Sequence, residues 1–218
     1  MKKILFENEK NADKNLKSIE LVGLSRSGKT TYLKKLIKNG KKGILIEQFS
    51  FLDKIFNFFI FLIKHPLRAG YLYYKLNTNN ISIKELNFKD YLKIKWLRNS
   101  YLSAVFYKYI IAKRIKNEFF IDEFLIQSIL MILNKKTNEE KIREVINFLP
   151  KSNKILLIET DRKTRYGRIK KTRFPAQQIN KAFSIEWMKH MEFNFEIIKK
   201  ILEKEYGPVR NDYGERIS

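Results

Sequence analysis

Short apolar runs alternate with longer stretches of helical periodicity along most of this chain. Four of the runs predict buried strands, at residues 18–22 (SIELV), 43–48 (GILIEQ), 118–123 (EFFIDE) and 154–161 (KILLIETD). A short fifth strand is predicted around Val209. Because strands that alternate with helices favour a mostly parallel sheet covered on both faces, the pattern predicts an α/β fold of about five strands.

Apolar positions three and four residues apart predict the helices. The predicted helices cover residues 29–39, 51–64, 66–76, 89–116, 124–133 and 176–204. The region 49–117 lacks a comparable strand pattern, so we interpret it as a helical insertion within one domain of residues 1–218. The aromatic residues of the helix at 89–116 have the spacing of packing positions, which favours a structural role over base stacking.

The loop between the first predicted strand and helix carries the strongest chemical signal. Residues 23–30, GLSRSGKT, match the phosphate-binding pattern G-x-x-x-x-G-K-[ST] in the context that the mechanism needs. Backbone N–H groups and the helix N-terminus attract a phosphate, Lys29 is expected to reach the β- and γ-phosphates, and Thr30 is expected to bind Mg²⁺. The predicted nucleotide contacts are Gly23, Ser25, Arg26, Ser27, Gly28, Lys29, Thr30 and Thr31.

Carboxylates end two of the other predicted strands. Asp122 has the position of an acid that holds Mg²⁺, and its alternative role is to cap the following helix. Glu123 could position a water or bind a substrate hydroxyl. Glu47 could accept a proton from an attacking hydroxyl, or it could simply face solvent at a strand end. Gln127, one helical turn after Glu123, is a candidate hydrogen-bond partner of the acceptor.

A strongly basic segment follows the fourth strand. Residues 161–173, DRKTRYGRIKKTR, include seven Lys or Arg among thirteen. Arg162, Arg165 and Arg168 recur every three residues and could close over a transferring phosphoryl group as a lid that supplies positive charge. The alternatives for this segment are a basic solvated loop and a nucleic-acid patch.

Composition and the apolar runs limit the partners and the cellular location that can be expected. The chain of 218 residues has 45 basic and 23 acidic residues, a formal charge of +22, and no cysteine. The charge is compatible with a solvated cationic exterior or with attraction to phosphates, nucleic acid or an anionic membrane. The apolar stretch 49–67 is interrupted by polar residues and is too short to span a bilayer, and the apolar run at the N-terminus is too short for a signal peptide. A cytoplasmic protein is the simplest expectation.

These motifs together resemble P-loop kinases of the thymidylate kinase-like and deoxynucleoside kinase-like groups. The resemblance covers residues 18–48 and 118–212. It implies a P-loop NTPase fold, ATP and Mg²⁺ as ligands, Lys29 and Thr30 at the phosphates and metal, Asp122 supporting the metal, and Glu47 as the base. In those groups the arginine segment is the lid, and the helical insertion lies where they bind the acceptor.

The stretch IDEFLIQ departs from those kinases. They carry an Asp-Arg-Tyr or Glu/Asp-Arg-Ser element where this chain has Asp122-Glu123-Phe124, so the arginine that contacts their acceptor is missing. The stretch is instead similar to the D-E-G-L-x-Q pattern of poorly characterised P-loop proteins encoded among bacterial surface-polysaccharide genes, which share a helical insertion containing His-Pro. This similarity makes a sugar or glycan-precursor hydroxyl at least as plausible an acceptor as a nucleoside or nucleotide.

The sequence therefore predicts an ATP- and Mg²⁺-dependent phosphotransferase. The alternative is a nucleotide-gated binding or switch protein that docks on an anionic membrane or on nucleic acid, of which nucleic acid is the less favoured partner. Peripheral contact with the inner face of the membrane is compatible with both hypotheses, and a homodimer is left open.

Overall fold

The computed structural model describes residues 1–7, 17–44, 50–77, 87–133, 135–149, 152–171, 181–206 and 208–209. Its strands are β1 (Lys2–Glu7), β2 (Ser18–Val22), β3 (Gly43–Ile44), β4 (Phe119–Asp122), β5 (Lys154–Glu159) and β6 (Pro208–Val209). Its helices are α1 (Lys29–Lys38), α2 (Phe51–Lys64), α3 (Pro66–Asn77), α4 (Phe88–Lys113), α5 (Leu125–Ile132), α6 (Glu139–Phe148), α7 (Arg162–Lys171) and α8 (Lys181–Tyr206).

The strands form one mixed sheet that is mostly parallel. Their order is β3, β4, β2, β5, β1, β6. β2 pairs in parallel with β4 and β5, and β3 pairs in parallel with β4, whereas β1 runs antiparallel to both of its neighbours. The predicted α/β class with a mostly parallel sheet is confirmed, and the carboxyl ends of β2, β4 and β5 lie at the same edge.

Strand β1 was not predicted from the sequence. Its segment, KKILFE, has a short apolar core between charged residues, which we considered only as a possible export signal. Within it Leu5 and Phe6 are both buried, one in each of the two hydrophobic clusters that flank the sheet. A strand needs only this alternation between the two faces of a sheet, so two buried side chains are sufficient where β5 offers an edge.

Two helices also lie outside the predicted set. α6 begins after Asn138, whose side chain accepts a hydrogen bond from the Lys141 N–H, and it buries Ile142, Val145 and Ile146. α7 is formed by the basic segment itself. The signal for α6 was present in the sequence as a cap followed by apolar residues three and four apart.

Helices cover both faces of the sheet. On one face, Tyr32, Leu33 and Leu36 of α1 pack with Leu21 of β2 and Leu156 of β5. The other face belongs to a larger cluster to which α4, α5 and α8 contribute, with Trp187 fully buried. Successive residues of β5 enter opposite clusters, as the pleat of a strand requires.

The helical insertion contributes α2, α3 and α4 between β3 and β4. Phe61 of α2 stacks on Phe106 of α4 with ring centroids 4.4 Å apart, and it meets the ring of Tyr109 edge-on at 5.7 Å. Trp96, which was predicted to pack, instead exposes 73% of its surface. Within the described parts of the chain, no helix combines the length and apolar character that crossing a membrane would require.

Candidate functional site

The loop after β2 has the backbone conformation of an anion-binding turn. Arg26 and Gly28 have φ angles of 64° and 99°, both in the left-handed region. Left-handed residues within a turn direct successive N–H groups into one concavity. The first N–H groups of α1 have no partner within the helix, and a helix N-terminus attracts an anion. The loop is therefore able to surround an anion with backbone donors.

Contacts from three other elements fix this loop. A Cβ on Gly23 would lie 2.4 Å from the carbonyl oxygen of Ile158 in β5, so only glycine fits there. The Gly23 N–H donates to Gln127 Oε1 at 2.9 Å. The hydroxyl of Thr160 donates to the Ser27 carbonyl at 2.6 Å, and the guanidinium of Arg168 donates to the Arg26 carbonyl at 3.1 Å.

Lys29 is buried against the same loop. Its Nζ donates to the carbonyls of Gly23 and Leu24 at 2.9 and 3.1 Å, and only 7% of the residue is exposed. Burial lowers the pKa of Lys29, while the nearby carboxylates of Asp122 and Glu123 act in the opposite direction. Lys29 is thus held at the loop beside two acids that favour its charged form.

Thr30 and Asp122 lie together, as their predicted shared role requires. Thr30 Oγ1 donates to Asp122 Oδ2 at 2.5 Å. Mg²⁺ prefers oxygen ligands and is commonly held by one or two protein groups together with phosphates and waters. The pair fits that mode of binding. Among the described residues there is no group of three or more His, Cys, Asp or Glu that could hold a metal without such help.

The turn after β4 presents Glu123 at the surface. Glu123 has a φ of 50°, and its N–H donates to Asp122 Oδ1 at 2.8 Å. Its carbonyl accepts from Lys108 Nζ of α4 and from Ser128 Oγ of α5. A left-handed conformation is costly for a non-glycine residue and persists only where its surroundings hold it. Here the contacts from α4 and α5 hold the backbone of Glu123.

Lys108 is a site residue that the sequence analysis missed. It is 4% exposed, and burial lowers its pKa to about 8 against the opposing effects of Glu123, Asp122 and Glu20. The signal available in the sequence was a single lysine in the apolar stretch VFYKYII. A lysine buried at such a position requires acidic or carbonyl partners.

Glu20 was missed for a similar reason, because it is one acid in the apolar strand SIELV. Its Oε1 accepts from the Gln127 N–H at 2.9 Å, at the start of α5. Burial raises the pKa of Glu20 to about 7. Gln127 connects Glu20 to the loop, because the same residue donates its backbone N–H to Glu20 and accepts from Gly23 through its side chain.

One cavity of about 870 Å³, which we call the loop cavity, brings together most of the predicted site. The predicted residues that line it are Ser25, Arg26, Gly28, Lys29, Thr30, Thr31, Glu123, Gln127 and Arg168. The helical insertion contributes Tyr101, which was not predicted and whose pKa is raised to about 12 by burial and by Glu123. Gln127 lines the cavity with its Oε1 already bonded to Gly23, an arrangement that favours positioning of the loop over contact with an acceptor.

The three arginines of α7 do not share one surface. Arg165 is 5% exposed and pairs with Glu192 of α8. Arg162, with its side chain 71% exposed, lies 3.7 Å from the same carboxylate. Arg162 and Arg165 line a separate groove of about 900 Å³ between α7 and α8, so Arg168 is the one of the three that lines the loop cavity.

Glu47 lies outside the described residues, as do residues 172–173 of the basic segment. The roles predicted for Glu47, as base and as substrate ligand, stay predictions. Its strand β3 is described only as Gly43–Ile44, at the edge of the sheet beside β4.

Comparisons with protein-family models, with curated proteins and with solved structures found no match for this chain.

Proposed function

We propose that this protein is a P-loop NTPase-fold phosphotransferase that moves the γ-phosphoryl group of ATP to a hydroxyl of a small molecule, sugar or glycan precursor, with Mg²⁺. The observation that carries the proposal is the loop cavity, in which an anion-binding loop, Lys29, Thr30 and Arg168 face the same space as Glu123. Donor-binding and acceptor-binding groups at one cavity are what a transfer reaction needs.

The chain's own groups would divide the work as follows. Loop N–H groups and Lys29 would hold the phosphates, and Arg168 would stabilise the charge on the transferred group. Thr30 and Asp122 would hold Mg²⁺, which, when bound, neutralises charge on the phosphate oxygens. Glu123 would orient the acceptor hydroxyl by accepting its hydrogen bond.

Transfer forms a bond from the acceptor oxygen to the γ-phosphorus and breaks the bond from that phosphorus to the β–γ bridging oxygen. ADP leaves, and the hydroxyl proton passes to a carboxylate. Glu47 is the base predicted from the sequence, and Glu123 is a carboxylate at the cavity that could take the same proton. Lys29, in its charged form, would balance the charge of the phosphates.

The acceptor is proposed to be neutral at its reactive end. Glu123 stands where the resembling kinases carry an acceptor-binding arginine, and Phe124 beside it is fully buried. A carboxylate attracts a hydroxyl donor but repels a phosphate, which favours a sugar or glycan-precursor hydroxyl over a nucleoside monophosphate.

The proposal is tested by incubating the purified protein with ATP, Mg²⁺ and a panel of sugars, nucleotide sugars, nucleosides and nucleoside monophosphates. Mass spectrometry is expected to find a phosphorylated product, formed with ADP in equal amounts, from a neutral hydroxyl acceptor. ATP turnover that needs no acceptor and releases only inorganic phosphate would contradict the proposal.

The residue-level test is Lys29→Ala. We expect product formation to fall by at least about a hundredfold, because the phosphates lose their fixed cation. Lys34→Ala, which removes an exposed lysine from the same helix, is the matched control and should keep wild-type activity. Equal activity of the Lys29 variant and the control would exclude the loop as the donor site.

A further inference from the structure

Helix α2 exposes an apolar face that no other described element covers. The residues of this face, which we call the α2 outer face, are Phe51, Leu52, Ile55, Phe56, Phe59 and Ile63. Their exposure ranges from 38% for Ile55 to 79% for Ile63. Soluble proteins rarely expose a contiguous apolar surface of this kind without a binding role.

The α2 outer face is continuous along the helix. At 3.6 residues per turn, its members fall within an arc of about 140° over a helix roughly 21 Å long. The opposite side of α2 is already occupied, because Asn57 and Phe61 are buried against the rest of the insertion. The outer face is therefore additional to the surface that α2 needs for packing.

Charge at the edges of this face identifies the kind of partner. α2 carries Lys54 and Lys64 and the first turn of α3 carries Arg68, against a single acid, Asp53. Lys75 of α3 is instead paired with Glu144 of α6. Asp53 belongs to the start of the helix, where its carboxylate accepts from the Ser50 hydroxyl at 2.6 Å. An apolar helical face with basic residues at its borders matches an anionic bilayer surface.

A second copy of this chain fits the face less well. Each copy would bring a formal charge of +22 and the same lysines to the interface, and like charges oppose such a contact. An anionic lipid surface has the complementary sign and accepts the phenylalanines of the face in its interfacial layer. Lysine stems can extend along an apolar surface while their ammonium groups reach the headgroups.

We propose that the α2 outer face inserts into the interfacial layer of an anionic lipid bilayer, with α2 lying along the membrane plane. This docking is independent of phosphotransfer, so each proposal can fail without the other. It would hold the protein at the membrane surface through α2.

The experiment is sedimentation of the whole protein with vesicles of phosphatidylcholine alone and of phosphatidylcholine mixed with phosphatidylglycerol. We expect stronger binding to the mixed vesicles, and weaker binding as KCl is raised. Phe56→Gln with Phe59→Gln should lower the partition coefficient for mixed vesicles by at least about tenfold, because two large apolar side chains are lost from the interface. Ile185→Gln on α8, also exposed, is the matched apolar control and should bind as wild type.

Two lysine variants test whether positive charge beside the α2 outer face contributes to binding. Lys64→Gln should weaken binding to mixed vesicles several-fold, while Lys34→Gln on α1 removes the same charge elsewhere and should change it little. If the double phenylalanine variant fails to fold by circular dichroism, Ile63→Gln repeats the test at a residue that is 79% exposed.

Equal vesicle binding by wild type and the Phe56, Phe59 and Ile63 variants would overturn the proposal. So would light scattering that shows a wild-type dimer separated into monomers by the same substitutions, since a second copy would then cover the face. Loss of vesicle binding with product formation intact supports docking and leaves the transfer reaction unaffected.

Discussion

Glu20 is a carboxylate in the centre of the sheet, between strand neighbours that are all buried. It is 0% exposed, and its partners are N–H groups at the start of α5. A helix N-terminus stabilises a carboxylate, but here loss of hydration has the larger effect and raises the pKa to about 7. At neutral pH this single residue is therefore divided between its two protonation states.

Glu20→Gln should change how the stability of the fold depends on pH. Since the pKa in the folded state, about 7, exceeds the ordinary value of 4.5, the folded state binds the extra proton between these values. Stability from this group is full below about pH 4.5 and is lost as pH rises towards 7. Glutamine keeps an acceptor oxygen and does not titrate. The free energy of unfolding of the variant, relative to that of wild type, should therefore rise by about 2–3 kcal/mol as the pH is raised from 5 to 8.

Urea unfolding followed by circular dichroism at the two pH values measures this difference. Glu118→Gln, at a half-exposed acid just before β4 that pairs with Lys154 at the surface, is the control and should show little pH-dependent difference. A Glu20→Gln variant whose stability relative to wild type is the same at pH 5 and pH 8 would show that Glu20 does not titrate in this range.

At this scale the sequence predicted the residues of the loop better than their partners. Lys29 and Thr30 belong to a local pattern, so their positions could be inferred from eight consecutive letters. The bond from Gly23 to Gln127 joins residues 104 positions apart, and that from Lys108 to Glu123 depends on how α4 crosses the turn after β4. Such contacts follow from tertiary packing, which no short pattern contains.

α7 is the element for which the structure differs most from the role predicted from the sequence. Arginines three residues apart on a helix turn by about 300° at each step, so Arg162 to Arg168 spread over roughly 120°. That spread explains why Arg165 meets Glu192 of α8 while Arg168 meets the loop. Arg165 therefore packs α7 against α8, whereas Arg168 faces the proposed transfer site.

Arg168→Ala should lower the turnover number more than nucleotide affinity. An arginine that stabilises charge developed during transfer contributes to the transition state more than to binding. We expect kcat to fall by about tenfold to a hundredfold, with the dissociation constant for ATP changing by less than about threefold. Isothermal titration calorimetry and product assays supply the two quantities.

Lys163→Ala, an exposed basic residue of the same helix, is the control for loss of charge and should retain the wild-type turnover number. If Arg168→Ala weakens ATP binding as much as it lowers kcat, Arg168 contributes ground-state binding alone and its proposed catalytic role is wrong.

Elements were predictable from sequence where apolar residues recur over a full strand or several helical turns. α2 begins and ends where the pattern placed it, at Phe51 and Lys64. β1 was not predictable in this way, because KKILFE becomes a strand through its antiparallel pairing with neighbours, mainly β5, from Lys2 beside Glu159 to Glu7 beside Lys154. That register joins segments about 150 residues apart.

The excess of positive charge acts on the whole molecule. Ion pairs such as Lys199 with Glu159 and Arg143 with Glu205 neutralise part of it locally. With 45 basic and 23 acidic residues, the chain nevertheless keeps a formal excess of 22 positive charges. Compaction brings these charges together, so their repulsion opposes folding.

Raising KCl from about 50 mM to about 300 mM should therefore stabilise the fold, by on the order of 1 kcal/mol, because salt screens repulsion between exposed charges. The measurement is the midpoint of urea unfolding at each salt concentration. A midpoint that falls as KCl rises would show that attractive ion pairs outweigh the net repulsion.

The α/β class of the molecule could be predicted from the apolar pattern of its sequence, whereas the placement of the edge strands of the sheet could not. Apolar strands in β2, β4 and β5 require covering helices on both faces, and that requirement is visible in the sequence. The addition of β1 beside β5, and of β6 beside β1, depends on which segments meet in space.

The helical insertion interrupts the strand pattern of the sequence, but it is not a separate unit of the structure. Phe61 and Leu102 from this region lie in the same hydrophobic cluster as Val22 and Ile121 of the sheet, and Lys108 holds the turn that carries Glu123. Removal of residues 49–117 would take the α2 and α4 contribution out of that cluster and release the turn that Lys108 holds. The segment is therefore unsuited to trimming, or to transfer between proteins as a separate module, because it shares one hydrophobic cluster with the strands that carry the loop cavity.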